Sequence, residues 1–342
     1  MSNRDRQSSR TGENMRVIVT GGAGYIGSHA CKALAEAGHE PVALDNFTTG
    51  HRWAVKWGPL AEVDLNDRRG VLAAFREYQP DAVMHFAALS IVGDSVNQPD
   101  LYYRTNVSGT LNLFEAMTQT GVERFVFSSS CATYGETNEM PLTEASPQMP
   151  LNPYGQSKMM VEQMLKDLSA AGDCGATALR YFNAAGADPD GETGEDHDPE
   201  THLIPIILQA ASGRRSHISV FGSDYDTPDG TCVRDYVHVS DLARAHVAAL
   251  ETTTRGEFRA FNLGTGHGHS VREVIESARR VTGRSFDVRE AERRAGDAPL
   301  LVADASKAKA ELGWSPQFTE LDDIVRTAWH WMERDTKAGS AA

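Results

Sequence analysis

Tyr154-Gly155-Gln156-Ser157-Lys158 sets a phenol and an ammonium four residues apart. Apolar Met159, Met160, Val161, Met164, Leu165 and Leu168 follow at helix-like spacing. Residues four apart on a helix share a face. A free phenol titrates near ~10, so its phenolate is scarce at neutral pH, and a fixed cation beside it favours that form. Lowering the value by about three units takes roughly 4 kcal/mol. A phenol so tuned moves a proton on and off a hydroxyl. The same pentapeptide also fits an ordinary helix pair facing water, so its surroundings must decide.

The elements that would position it come earlier in the chain. Arg16 to Thr20 is a short apolar strand, followed by Gly21-Gly22-Ala23-Gly24-Tyr25-Ile26-Gly27 and a helical stretch from Ser28 to Ala37. A strand, a glycine loop and a helix start form a cradle for phosphate. The spacing is Gly-x-x-Gly-x-x-Gly, and a glycine-rich turn alone is weak evidence. The next strand, Pro41 to Leu44, ends in Asp45, about twenty residues beyond the loop, where an acid binds ribose hydroxyls. That carboxylate repels a 2′-phosphate and so favours NAD over NADP. Asp45 also fits a plain turn residue before Asn46.

Strand and helix patterns then alternate. Strands are read at Leu60–Val63, Ala82–Phe86, Arg124–Phe127 and Ala176–Tyr181, with helices at Arg68–Tyr78, Leu101–Thr118 and Pro153–Ala171. Such alternation implies right-handed crossovers and a parallel sheet, with ligands at the carboxyl ends of the strands. Gly21, Asp45, Asp64, Phe86, Ser130 and Phe182 all fall there. Residues 183–200 read as loop. His197, Asp198, Glu200 and His202 in and beside it have no helical spacing, so no metal site is expected. Helices are read at Leu203–Ala211, Asp241–Leu250, Ser270–Val281, Ser306–Leu312 and Leu321–Met332, and strands at Val233–Val239 and Phe258–Leu263. The fold class is therefore α/β, a Rossmann-type doubly wound parallel sheet with a smaller α/β substrate-binding domain. The expected division is a disordered arm over 1–14, a cofactor domain over 15–182 rejoined by a strand near 258–264, and a mainly substrate-binding region over 183–338, with a frayed tail from Gly339 to Ala342.

The totals narrow the partners. The chain has 342 residues, 40% of them hydrophobic, which is enough for one large domain or two intimate ones. A net charge of −14 argues against nucleic acid or an anionic membrane surface. Cys31, Cys131, Cys174 and Cys232 are scattered without a Cys-x-x-Cys, which suggests a reducing, cytoplasmic setting. No apolar run reaches membrane-spanning length, and the polar start has no secretory h-region.

The glycine loop, Ser128-Ser129-Ser130, Tyr154-x-x-x-Lys158 and Arg180-Tyr181-Phe182-Asn183 resemble the extended short-chain dehydrogenase/reductase superfamily. His85-Phe86-Ala87-Ala88, Thr105-Asn106-Val107-x-Gly109-Thr110, Gly230-Thr231-x-Val233-Arg234-Asp235-Tyr236-Val237-His238-Val239, Arg293-Arg294-x-Gly296-Asp297 and Ala303-Asp304-x-Ser306-Lys307 are more selective. Together they resemble the UDP-glucose 4-epimerase family, from Met15 to about Met332. The resemblance implies NAD as cofactor, UDP-glucose and UDP-galactose as substrates, a place in galactose metabolism, and a homodimer built on Leu101–Thr118 and Pro153–Ala171. Tyr154 would take the sugar 4-hydroxyl proton. Ser130 would hydrogen-bond the 4-oxygen. Lys158 would hold the nicotinamide ribose and, with the nicotinamide ring, depress Tyr154.

The same resemblance assigns NAD contacts to Gly21, Gly24, Tyr25, Ile26, Gly27, Asp45, Asn46, Phe47, Thr49, Gly50, Asp64 and Leu65. It adds Phe86, Ala87, Ala88, Ser90, Asn106, Ser130, Tyr154, Lys158, Tyr181 and Phe182. Ser90 departs from the lysine many members carry. For substrate it implies Ser130, Tyr154, Asn183, His202, Leu203, Val220, Phe221, Arg234, Arg294, Asp297 and Leu301. Arg234 and Arg294 would bind the diphosphate, Asp297 the uridine ribose side, and Phe221 and Leu203 the uracil. His202 stands where some members have asparagine. Leu301 would limit access of N-acetylated sugars. Alternatives are an epimerase of UDP-N-acetylhexosamines or of UDP-xylose/arabinose, a nucleotide-sugar dehydratase, and an NAD-sensing regulator. The dehydratases carry an Asp-Glu pair where this chain has Cys131-Ala132.

Overall fold

A computed structural model describes residues 14–135, 140–294 and 297–339. The arm expected over 1–14 therefore lies, except for Asn14, outside the described residues, as does the tail expected from Gly339 to Ala342, except for Gly339, which ends the last helix.

Alternation along the first strand sets the layers. In β1 (Arg16–Thr20), Val17 and Val19 face one side and Ile18 the other, and all are fully buried. A strand buried on both faces belongs in a parallel sheet covered by helices. The chain supplies this with β2 (Glu40–Asp45), β3 (Leu60–Glu62), β4 (Ala82–His85), β5 (Arg124–Ser130), β6 (Gly175–Tyr181) and the late strand β10 (Phe258–Leu263), giving the order β10-β6-β5-β4-β1-β2-β3. Every pairing is parallel. Helices α2 (Arg68–Tyr78), α5 (Gly109–Thr120) and α6 (Pro153–Ala170) cover one face; α1 (Tyr25–Glu36), α8 (Val239–Thr252) and α10 (Ser306–Leu312) cover the other.

A second core gathers α7 (Leu203–Ala211), α9 (Val271–Thr282) and α11 (Leu321–Gly339) against β8 (His217–Phe221). Beside it β9 (Val233–His238) pairs with β7 (Asn183–Ala185), β11 (Gly268–Ser270) and β13 (Leu300–Leu301), while β8 pairs in parallel with β12 (Asp287–Ala291). No described helix is long and apolar enough to cross a membrane.

Several elements differ from the sequence reading. The helix expected over Leu101–Thr118 is split into α4 (Pro99–Tyr102), a π-helical turn at Tyr103–Ser108, and α5, with α3 (Val92–Asn97) just before. The turn carries Asn106, whose buried side chain bonds the Leu89 backbone in both directions, at 2.8 and 2.9 Å. A widened turn commonly marks a functional stretch. The loop expected from Asn183 begins as β7, because Tyr236 to His238 offer a partner that local composition does not reveal. Strands β8 and β12 escape a sequence reading because each is short, and β12 has no buried residue.

Candidate functional site

The carboxyl ends of β1, β2, β4, β5 and β6 open onto one cleft of about 710 Å³. That is within the usual range for small-ligand sites.

Its floor is the glycine loop. Gly21 adopts φ +69°, and a Cβ there would sit 2.8 Å from the Ala87 nitrogen. A Cβ on Gly27 would lie 2.0 Å from the Gly21 carbonyl oxygen, so only glycine lets α1 start this close to the loop. The N-cap of α1 is Gly24, with no side chain to cap the first turn. Its leading amides are left for an anionic ligand. Asp45, buried at the tip of β2, accepts from the Ala23 amide at 3.0 Å and the Phe47 amide at 2.8 Å. Asp64 accepts from the Asn46 side chain at 2.8 Å. Burial raises the Asp64 carboxyl, but hydrogen bonds from Asn66 and Asn46 outweigh this and hold it below its ordinary value. An uncapped helix start and an acid at the neighbouring strand tip fit a dinucleotide.

The catalytic candidates lie along one wall. Asn152 caps α6 by accepting from the Gly155 amide at 2.9 Å, and Pro153 opens the helix. This local start signal places Tyr154 in the first turn and Lys158 one turn on. Lys158 Nζ donates to the Ser128 carbonyl at 2.7 Å, 5.8 Å from the centre of the Tyr154 ring. Ser130, at the end of β5, accepts from the Ala132 amide at 3.1 Å. Burial pushes the Tyr154 phenol above its ordinary value, the neighbouring Tyr181 adds to this, and the Ser130 side chain pulls it partly back. Burial also pushes Lys158 down to about 7, opposed by the Glu162 carboxylate. Among the protein's own groups, desolvation thus outweighs the expected depression of Tyr154 by Lys158. A further positive charge placed in the cleft would lower the phenol.

Most of the expected cofactor residues line this cleft, from Gly21, Gly24, Tyr25, Ile26 and Gly27 through Asp45, Asn46, Thr49, Asp64 and Leu65 to Phe86, Ala87, Ala88, Ser90, Tyr181 and Phe182. Three are placed elsewhere. Asn106 lies beneath the wall and clamps Leu89. Phe47 takes φ +58° and stacks under Arg52, with 4.3 Å between the guanidinium carbon and the ring centre. Gly50 packs close to Ala23 and Asp45.

Of the expected substrate residues, Asn183, His202, Leu203, Arg234, Asp297 and Leu301 line the cleft. Arg234 and Asp297 face each other at 3.6 Å, and Leu301 pairs with Arg234 through β13. Val220 is different: its side chain is buried in the second core. The Phe221 face expected for a base is covered by Arg294, whose guanidinium carbon stands 3.9 Å from the ring centre. His202 turns Nδ1 to Glu195.

Asn152, Ala184, Ala185 and Tyr236 also line the cleft and were not singled out by sequence. The Asn-Pro helix start was a readable signal for Asn152. Nothing local marked the other three, which depend on the β7–β9 pairing. The expected absence of a metal site rested on irregular spacing; the fold nevertheless brings Glu195, His197, Glu200 and His202 together.

Comparison with known proteins agrees in extent. The model of the NAD dependent epimerase/dehydratase family matches residues 17–264. A UDP-glucose 4-epimerase of Rhizobium leguminosarum bv. trifolii is 51% identical over 316 residues, 92% of this chain and 96% of that protein. The structure of UDP-glucose 4-epimerase from Brucella ovis in complex with NAD shares 51% identity, covers 93% of this chain and 98% of that one, and superposes with a TM-score of 0.89. The Stenotrophomonas maltophila UDP-glucose-4-epimerase with bound NAD and formylated UDP-arabinopyranose shares 41%, covers 95% and 100%, and gives 0.91.

Proposed function

The chain belongs to the NAD dependent epimerase/dehydratase family, and from that premise we infer that it interconverts UDP-galactose and UDP-glucose by inverting the sugar 4-position. The observation that carries this is the placement of Tyr154, Ser130 and Lys158 on the wall of a cleft floored by the glycine loop. NAD, when bound, takes up the hydride from the sugar 4-carbon and gives it back.

The residues supply the rest. Gly21, Gly24 and Gly27 let the first turn of α1 meet the pyrophosphate, and Asp45 takes the adenosine ribose hydroxyls. Tyr154 removes the 4-hydroxyl proton and later returns it, with Ser130 hydrogen-bonded to the same oxygen. Lys158 holds the nicotinamide ribose and adds positive charge beside Tyr154. Arg234 takes the diphosphate, since its fork of donors matches phosphate oxygens. Asp297 faces the uridine ribose, and Leu301 borders the sugar. The 4-keto sugar must then turn over within the cleft to expose its other face. Elimination chemistry has no acid/base pair here, because Cys131 and Ala132 follow Ser130.

The same reading includes a cytoplasmic homodimer. The free thiols of Cys31, Cys131, Cys174 and Cys232 support a reducing compartment. Exposed Leu101 and Leu111 on the Leu101–Thr120 stretch, with exposed Met160 on α6, support a helical interface. A sedimentation experiment that returned a monomer would remove the dimer.

The test is conversion of UDP-galactose to UDP-glucose by purified protein without added NAD, with UDP-N-acetylgalactosamine and UDP-arabinose run alongside. Conversion of UDP-galactose supports the reading. Turnover of another sugar alone keeps the chemistry and moves the substrate. No turnover of any, with NAD confirmed bound, removes it.

A further inference from the structure

We propose that Glu195, His197, Glu200 and His202 hold one divalent transition-metal ion of the zinc class, in a closed four-ligand site that braces the wall of the cleft. Each residue offers one ligand atom, and the four atoms lie within 4.8 Å of one another. His197 Nδ1 stands 3.1 Å from a Glu195 oxygen and 3.9 Å from a Glu200 oxygen, and His202 Nδ1 is also 3.9 Å from Glu200. Ligands at zinc bond lengths of ~2.0–2.2 Å in a tetrahedron stand about 3.3 Å apart, so to hold an ion the hydrogen-bonded Glu195–His202 pair must open and the widest pairs must close by up to about 1.5 Å.

The chemistry points the same way. Both carboxylates are almost out of water, at 5% side-chain exposure each. Two buried carboxylates are costly without compensation. Against them the structure sets only the two imidazoles, with no lysine or arginine paired to either among the described residues. Both charges balance with two imidazoliums, or with one divalent ion and two neutral imidazoles. The neighbouring acidic cluster is built differently. Asp188, Asp190 and Glu192 surround Lys32 Nζ at 2.8, 3.0 and 2.8 Å, so that cluster already contains its cation.

The ligands are also oriented. Glu200 accepts from the Thr201 and His202 amides at 2.7 and 2.8 Å, and the Glu195 backbone carbonyl accepts from Trp331 at 3.1 Å. Such outer contacts fix metal ligands in place. Two nitrogen and two oxygen donors suit zinc better than calcium or magnesium, which prefer oxygen alone. Four protein ligands fill a tetrahedron and leave no open position, so the role is structural. The ion would tie the loop before α7 to the start of that helix. His197 lies edge-on to Tyr25 of the glycine loop, with ring centres 6.3 Å apart. It would therefore stiffen a wall shared by the two halves of the cleft. This inference does not depend on the sugar assigned above.

The test uses the full chain without a histidine tag. Chelator-stripped protein is titrated with zinc alone and its metal content measured, with one ion per chain expected. Zinc should raise the melting temperature. His197→Ala and His202→Ala should each weaken binding at least about 10-fold and lose that stabilisation. Zinc content no higher than the buffer blank, with no thermal shift, overturns the proposal. Equal zinc retention by both variants overturns it too, since the ion would then sit elsewhere. The wild-type cobalt complex decides the matter should a variant fail to fold. The strong visible bands of a four-coordinate ion support the site, and a weak six-coordinate spectrum sinks it.

Discussion

Glu162 grips Arg180 in a buried ion pair, with 2.5 Å between oxygen and nitrogen and side chains only 4% and 6% exposed, one helical turn beyond Lys158. The pair ties α6 to β6 directly behind the wall that carries Tyr154 and Lys158. Ser129 donates to the same carboxylate at 2.5 Å, and Arg180 also donates to the Tyr134 hydroxyl at 2.9 Å. The glutamate therefore fixes the helix that carries Tyr154 and Lys158, and its charge acts on Lys158.

Removing one member of such a pair strands the other charge in a dry interior. Glu162→Gln should lose about 3–5 kcal/mol of unfolding free energy, measured by denaturant titration. Adding Arg180→Met to that variant should restore most of the loss. A Glu162→Gln protein as stable as wild type would show that the pair is not the anchor described.

Lys158 gives a pH dependence of definite sign. Its folded value, near 7, lies below the ordinary 10.5. Folding therefore works against its protonated form. That penalty is complete below pH 7 and fades as pH rises from 7 toward 10.5. Stability of the NAD-free protein should rise across this window, and Lys158→Met should flatten the rise while cutting turnover. The measurement is melting temperature against pH for both proteins. Parallel curves would refute the assignment.

Tyr154 should respond to the cofactor. Burial holds its phenol above the ordinary value in the protein alone. Ultraviolet titration should find its phenolate only at strongly alkaline pH without NAD, and at lower pH with NAD⁺ bound. Tyr154→Phe should bind NAD normally and lose about 10²–10⁴-fold in kcat. Full activity in that variant would exclude Tyr154 as the base.

Gly155 offers a steric test of positioning. A Cβ there would fall 2.3 Å from the Ala132 carbonyl oxygen and 3.0 Å from Pro150. Gly155→Ala must push the first turn of α6 away from the strand end that carries Ser130. A displacement near 1 Å should cost about 10²-fold in kcat. The mutant should still fold and bind NAD. Unchanged kcat would mean that the wall yields freely.

Leu301 faces the cleft from the two-residue strand beside Arg234. Leu301→Ala should enlarge the sugar end and shift the kcat/KM ratio toward UDP-N-acetylgalactosamine by about 10-fold or more. An unchanged ratio would place the selectivity elsewhere.

The sequence by itself determined whatever depends on near neighbours. Tyr154 and Lys158 share a face because a helix repeats every 3.6 residues, and Asn152-Pro153 says where that helix starts. The strand, glycine loop and helix from Arg16 to Glu36, with Asp45 at the next strand tip, also follow from short-range pattern. That placed the parallel sheet, the glycine-loop end of the cleft and the wall that carries Tyr154 and Lys158.

Only the tertiary structure decided what depends on distant partners or on the removal of water. Asn106 turns down to Leu89, and Arg294 covers Phe221. Glu195 replaces exposed Asp198 beside His197, Glu200 and His202, because the path of the loop is set by Trp331, His51 and Lys32 from remote parts of the chain. Tyr154 and Lys158 both shift toward their neutral forms because packing around them removes the solvent that would stabilise their charges. Neither composition nor spacing carries that information, since desolvation belongs to the assembled interior and not to any one segment.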